Sequence, residues 1–121
     1  DDLGHNYAEL AQRLGLSADQ KTKVETAVYT HKRAMIDEKA ALAKARLDLR
    51  QALVATTLDD KAVDKAVDAV AKATADMQRE KVHMIVDIRK QLTPDQWTQL
   101  VALRAEAKQG RHHGHGDDDD E

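Results

Sequence analysis

The sequence predicts an all-α protein, an antiparallel helical hairpin of two long helices plus two shorter helices, here called a four-helix hooked hairpin. Charged residues make up 34% of the 121 residues, a single proline is present, and strong helix formers such as alanine, leucine and lysine are abundant. Apolar residues recur in alternating steps of four and three, as in a heptad seam between two helices. A helix-start motif occurs near each end of the chain.

The first short helix is expected from Tyr7 to Leu14. Asn6 is a candidate cap, and Gly15 is the natural stop because glycine readily ends a helix in the left-handed conformation. Its apolar positions recur at helical spacing, so the helix should pack on the hairpin.

The first long helix begins at the motif Leu16-Ser17-Ala18-Asp19-Gln20. Ser17 would cap the helix and Gln20 would close a capping box by reaching back to the cap residue. No proline or glycine follows before about Thr56, so this helix should run for roughly forty residues.

The heptad seam of this helix contains two polar interruptions, His31 and Glu38. Its members are Val24, Val28, His31, Met35, Glu38, Leu42, Ala45, Leu49 and Ala52. A polar side chain in such a seam costs stability unless it is paired, so both residues point to a partner or a function.

The chain should reverse near Leu58, with Thr57 or Asp59 as the cap of the second long helix. This helix is expected from about Asp60 to Gln91, with a seam of Val63, Val67, Val70, Met77, Met84 and Ile88.

The last helix begins at the second motif, Leu92-Thr93-Pro94-Asp95-Gln96, in which Thr93 is the cap and Gln96 closes the box. Its last residue is expected to be Lys108, with Gly110 as the glycine that terminates it. The helix is expected to bury Trp97, Leu100, Val101 and Leu103.

A helical domain of residues 1–110 is therefore followed by a flexible His/Asp-rich tail of residues 111–121. The last five residues are acidic and contribute −5 to the net charge of −3, so the preceding residues carry about +2. His112, His113 and His115 beside these carboxylates form a ligand set suited to zinc, nickel, cobalt or copper, although a flexible cluster binds weakly. A solvating acidic end and an expression remnant are the alternatives.

A second metal site is predicted inside the hairpin. His83 and Asp87 are spaced i, i+4, which places both side chains on one helix face. With a reversal near Leu58, facing residues have numbers that sum to about 116, so His31 should lie within one turn of this pair. His5 or Glu80 would complete four-coordination. The alternative is a structural His31 that is hydrogen-bonded to Glu80 or Asp87.

The paired motifs, with long charged helices between them, resemble the LTxxQ family of bacterial periplasmic proteins. That family includes the stress proteins CpxP and Spy, the zinc-resistance protein ZraP and the nickel/cobalt sensor CnrX. The resemblance covers roughly Tyr7 to Ala107 and is strongest to the CnrX-type sensors, in which a ligand histidine follows valine as His83 follows Val82. The sensor's other ligands fall at Tyr7, Ala11, Val28 and Asp87 of this chain, so a site here would be rebuilt from His31 and Asp87 with harder ligands.

The expected function is a divalent heavy-metal-binding protein of metal resistance or sensing. The resemblance implies a periplasmic location and a membrane signalling partner. Because the chain begins at Asp1 without methionine, we expect a leader or anchor to have been removed from the full-length chain, although an artificial start would look the same. The alternative is an ATP-independent chaperone or adaptor, like Spy and CpxP, that holds unfolded clients on an apolar surface.

Other classes of function are not favoured. The sequence has no P-loop, no G-x-S-x-G motif and no cysteine, so the protein is expected not to be an enzyme. No basic cluster carries interleaved aromatic residues, so nucleic acid is not an expected partner. A homodimer is expected, because an alanine-rich core buries little apolar area and the segment from Val82 to Ile88 is apolar on several faces.

Overall fold

The computed structural model describes the backbone of residues 7–112 and the side chains of residues 9–110. Four helices follow one another in this part of the chain: α1 (Tyr7–Leu14), α2 (Ala18–Val54), α3 (Asp60–Lys90) and α4 (Pro94–His112). The described residues contain no strand, and the two long helices, α2 and α3, pack against each other. The predicted all-α hairpin with two additional short helices is confirmed.

The capping residues act as the sequence predicts. The Gln20 backbone N–H donates to Ser17 Oγ at 3.1 Å, and the Ser17 N–H donates to Gln20 Oε1 at 2.9 Å. Thr93 and Gln96 make the same reciprocal pair at 3.1 and 2.9 Å. The long helix α2 and the shorter helix α4 therefore each start at a satisfied capping box.

The turns on either side of α2 rely on different residues, a glycine that ends α1 and an aspartate that caps α3. Gly15 has a φ of 66°, which is the left-handed conformation that glycine adopts without a steric penalty, so it ends α1 as predicted. Between α2 and α3, Asp59 supplies the cap, because its Oδ1 accepts the N–H groups of Lys61 and Ala62 at 3.0 and 3.3 Å. Of the two caps proposed for α3, Asp59 is the one that acts.

The described chain divides into two compact units. One unit consists of residues 25–88, which form the paired stretches of α2 and α3. Its buried apolar side chains are Val28, Leu42, Ala45, Ala66, Ala73 and Ile88. The other unit consists of the residues before 25 together with those after 88, in which α1 packs against α4. Its buried apolar side chains are Ala11, Leu14, Val24 and Leu100.

One predicted seam position on α3 is wrong. Val67 is 46% exposed, whereas Ala66 and Ala73 are buried. From Val63, the next position that faces α2 is three residues on, at Ala66, and not four residues on, at Val67. Val67 is therefore rotated outward by about 100° relative to Ala66. The same register brings Glu80 into the seam.

Two predictions for α4 are also wrong. Gly110 lies inside the helix, which continues to His112, so it does not end the helix and the first two residues of the predicted tail are helical. A glycine in an exposed last turn costs only about 1 kcal/mol relative to alanine. Val101 is exposed because the adjacent Leu100 takes the buried position, while Trp97 and Leu103 are half-buried.

No helix between Tyr7 and His112 combines the length and the apolar character that a bilayer crossing needs.

Candidate metal site

A histidine on α2 connects to two carboxylates on α3. Nδ1 of His31 is hydrogen-bonded to Glu80 Oε2, and Nε2 lies 2.6 Å from Asp87 Oδ2. Glu80 and Asp87 are separated by seven residues, or about two helical turns. The imidazole ring, whose side chain is 12% exposed, therefore sits between them as a crosslink within the hairpin unit.

The two bonds determine the charge of His31 in this arrangement. Ionised carboxylates only accept hydrogen bonds, so a ring that bonds to both must donate from both nitrogens as an imidazolium. Burial lowers the pKa of His31, but the hydrogen bonds that the ring donates to Asp87 and Glu80, together with the negative charge of these carboxylates, outweigh it and hold the pKa above its ordinary value. The two contacts and the raised pKa therefore both favour the protonated, cationic form of the His31 ring.

The second polar residue of the seam, Glu38, has no such partner. Its Oε1 atom is buried and makes no hydrogen bond. Burial, followed by the negative charges of Glu80 and Asp76, raises the pKa of Glu38. Asp76 itself is bonded to Lys72 at 2.8 Å and to Arg79 at 3.2 Å. The stretch of the seam from His31 to Glu38 therefore contains several carboxyl groups, those of Glu38, Asp76 and Glu80, and one histidine.

The predicted ligands are brought together only in part. His31 lies beside Asp87 and Glu80, as the facing estimate predicts, and it makes the hydrogen bonds that the structural alternative requires. His83 is exposed and makes no hydrogen bond or ion pair with another described residue. Within residues 9–110, no group of three or more potential ligands converges as a metal site.

The remaining candidates cannot be placed. His5, His113 and His115 lie outside the described residues, and so does the side chain of His112 at the end of α4. Their role as ligands stays a prediction.

The donor types nevertheless fit a borderline divalent ion. His31 Nε2 and Asp87 Oδ2 are a nitrogen and an oxygen donor that already meet across the hairpin. Glu80 lies on the opposite edge of the ring and so cannot ligate the same ion, but it can hold Nδ1–H. A carboxylate in that position fixes the tautomer of a ligating histidine and leaves Nε2 with a lone pair.

Sequence reasoning considered Glu80 and Asp87 separately and missed that one ring contacts both. The signal was present in their spacing, since residues seven apart on one helix share a face with a two-turn gap. A histidine that faces this gap from the other helix can form a hydrogen bond to each of the two carboxylates, one from each ring nitrogen.

A family model described as heavy-metal resistance matches residues 4–99 of the chain. No curated protein and no solved structure gives a significant match.

Proposed function

The chain belongs to the heavy-metal resistance family, and from that membership we propose that it binds a divalent transition metal, namely zinc, nickel, cobalt or copper. Its role would be that of a binding protein rather than an enzyme. We further propose that it acts in the periplasm and modulates a membrane signalling partner, as the resemblance to the LTxxQ proteins implies.

One observation carries the proposal for the hairpin, namely the 2.6 Å contact between His31 Nε2 and Asp87 Oδ2. It joins an imidazole and a carboxylate from two helices, with His83 one turn before Asp87 on α3. Neutral His31 would use Nε2 as a ligand while its Nδ1–H stays bonded to Glu80. His31, Asp87 and His83 would thus hold the metal, with Glu80 orienting the ring.

Binding would require a small rearrangement of these residues. Two ligands of one tetrahedral zinc ion lie about 3.3 Å apart, since each bond is near 2.0–2.2 Å. His31 and Asp87 are closer than that because they are hydrogen-bonded to each other. The proton must leave and His83 must turn toward the pair, so affinity should fall as pH falls and the imidazoles become protonated.

The test is calorimetric titration of the full chain with zinc, nickel, cobalt and copper. The tail is silenced by replacing His112, His113 and His115 with alanine, which leaves the hairpin ligands intact. In this background His83→Ala and His31→Ala should each weaken binding by at least about tenfold, and Glu80→Gln by about 10–100-fold. Asp48→Asn, which removes an exposed carboxylate from α2, is the control.

Circular dichroism melting of each variant shows whether the helices remain folded. If the tail-silenced chain binds no metal, or if His31→Ala and His83→Ala bind it unchanged, then the hairpin is not the site. Metal binding confined to the chain with an intact tail would assign it to His112, His113 and His115.

A second candidate function is that of a chaperone or adaptor, and it is favoured by apolar side chains that α3 leaves uncovered. Val82 and Val86 are 52% and 40% exposed and lie one turn apart. Such a strip suits weak contact with unfolded clients. Suppression of a client's aggregation without ATP, lost in Val82→Ser/Val86→Ser but kept in Val101→Ser, would support this role.

A further inference from the structure

The side of α2 that faces away from α3 carries a second line of apolar residues. We call it the outer face of α2. Its apolar members are Tyr29, Ile36, Ala40, Ala43, Leu47 and Val54. At 100° per residue they lie about 130° or more around the helix from the centre of the seam. All are exposed, and the four large ones are 57%, 66%, 57% and 74% exposed.

Basic residues flank and interrupt this apolar line. They are Arg33, Lys39, Lys44, Arg46 and Arg50, and all five are exposed. None of them makes an ion pair with another described residue. The exposed carboxylates between residues 29 and 54 are Asp37 and Asp48. The outer face therefore combines uncovered apolar area with an excess of uncompensated positive charge.

A second copy of the chain does not suit this face. In an antiparallel pair, the register that sets Tyr29 against Val54 also sets Arg33 against Arg50. In a parallel pair in register, each arginine faces the same arginine of the second chain. Either arrangement brings like charges together at the contact, which is destabilising.

The geometry of the face also disfavours a peptide. The outer face is the convex side of a single helix, on the side away from its partner, and it offers no groove between two elements. It extends over residues 29–54, on the order of 37 Å at 1.5 Å per residue. A long convex strip of apolar side chains with lysine and arginine on both sides is the pattern of a helix that lies in a membrane interface.

We propose that the outer face of α2 docks on the surface of an anionic lipid bilayer. The apolar side chains enter the boundary between headgroups and acyl chains, and the arginine and lysine side chains extend to the lipid phosphates. Docking is peripheral, and it is a property of the hairpin separate from metal binding.

The test is flotation of the full chain with vesicles of phosphatidylcholine, with and without about one third phosphatidylglycerol. The chain should bind only the anionic vesicles, and binding should be lost in 1 M salt, where the screening length falls to about 3 Å. Lys39→Gln/Arg46→Gln should weaken partition about 25-fold, because each basic residue near such a surface contributes about fivefold. Ile36→Ser/Leu47→Ser should weaken it as well.

The matched control is Lys61→Gln/Lys65→Gln, which removes the same charge from exposed positions of α3 and should change partition by less than about twofold. Equal losses in both charge variants would show attraction by net charge alone and overturn the proposal. Absence of binding to anionic vesicles would overturn it too. Binding of poly-glutamate in place of vesicles, lost in Lys39→Gln/Arg46→Gln, would assign the face to an acidic protein segment instead.

Discussion

The side-chain amides of Gln20 and Gln96 are hydrogen-bonded to each other. Gln20 Nε2 lies 2.8 Å from Gln96 Oε1, and Gln96 Nε2 lies 3.3 Å from Gln20 Oε1. Each glutamine also closes the capping box of its own helix through Oε1. Each then donates from Nε2 to the end of another helix, Gln20 to the Gln91 carbonyl at 2.9 Å and Gln96 to the Leu14 carbonyl at 3.3 Å.

The two helix-start motifs are therefore one connected structure. Glutamate at the same position would close a capping box equally well, but only a long amide both accepts at the cap and donates to a carbonyl beyond it. This explains why glutamine occupies the last position of both motifs.

Removing either amide should destabilise the unit formed by the two ends of the chain. Gln96→Ala loses several hydrogen bonds and should lower the free energy of unfolding by about 2 kcal/mol. Gln20→Ala should do the same, and the double variant should cost less than the sum because the amides contact each other. Urea denaturation measures all three, with the exposed Gln99→Ala as the control. Additive losses would contradict the direct coupling.

The crosslink at His31 should make the stability of the metal-free hairpin depend on pH. Because the folded-state pKa of His31 is raised, the folded state holds this proton more tightly than the unfolded state. The contribution is fully present below the unfolded value near 6.5 and is lost as pH rises through the folded value. His31→Gln should cost about 2 kcal/mol in mildly acidic buffer and less once the pH rises through the folded value.

Denaturation across this pH range, with chelator present, measures the effect. His83→Gln is the control, since His83 is exposed and makes no described hydrogen bond, and it should leave the pH dependence as it is. A constant difference between wild type and His31→Gln at every pH would show that packing, rather than the imidazolium, stabilises the hairpin.

Neutralising Glu38 should stabilise the hairpin. Its raised pKa means that ionisation costs the folded state free energy as pH rises through the folded value. Glu38→Gln should therefore raise the free energy of unfolding by about 1 kcal/mol at neutral pH, with a smaller gain toward acidic pH. Thermal melting measures this, and Asp37→Asn, an exposed neighbour, should have little effect. A lower melting temperature for Glu38→Gln would indicate that the carboxylate has a stabilising partner.

We expect a homodimer through the exposed strip of α3. Sedimentation at micromolar concentration should give twice the chain mass of 13.5 kDa. Val82→Lys/Val86→Lys should weaken association by about two orders of magnitude, because it places like charges across a two-fold interface. Val67→Lys, also exposed on α3, is the control. A monomer whose melting temperature is unchanged by dilution would count against the dimer.

Local signals predicted most of the fold. Ser17, Thr93 and Gly15 act through bonds or angles within a few residues, so the sequence identifies them directly. The positions of Val67 and Val101 depend on which neighbour wins the buried side of the helix, and that choice is made by packing with another element. Gly110 was expected to end α4 but lies inside the helix, because glycine permits a helix end without requiring one.

Within the candidate site, the sequence predicts that His31 meets Asp87 and Glu80, but not how the predicted ligands are oriented. Counting residues from the reversal placed His31 near Asp87, because two straight helices advance equally per residue. The count does not give the direction of a side chain. It therefore could not reveal that His83 is exposed, or that Glu80 and Asp87 bond opposite edges of the His31 ring.

The small side chains of the core have a thermodynamic consequence. Four of the ten buried apolar residues in the described chain are alanines, and no described side chain is less than 2% exposed. Unfolding then transfers little new hydrocarbon to water, and the heat capacity increment of unfolding scales with that area. A small increment flattens the curve of free energy against temperature, so the enthalpy of unfolding changes little between cold and warm conditions. This protein should therefore lose stability slowly on cooling.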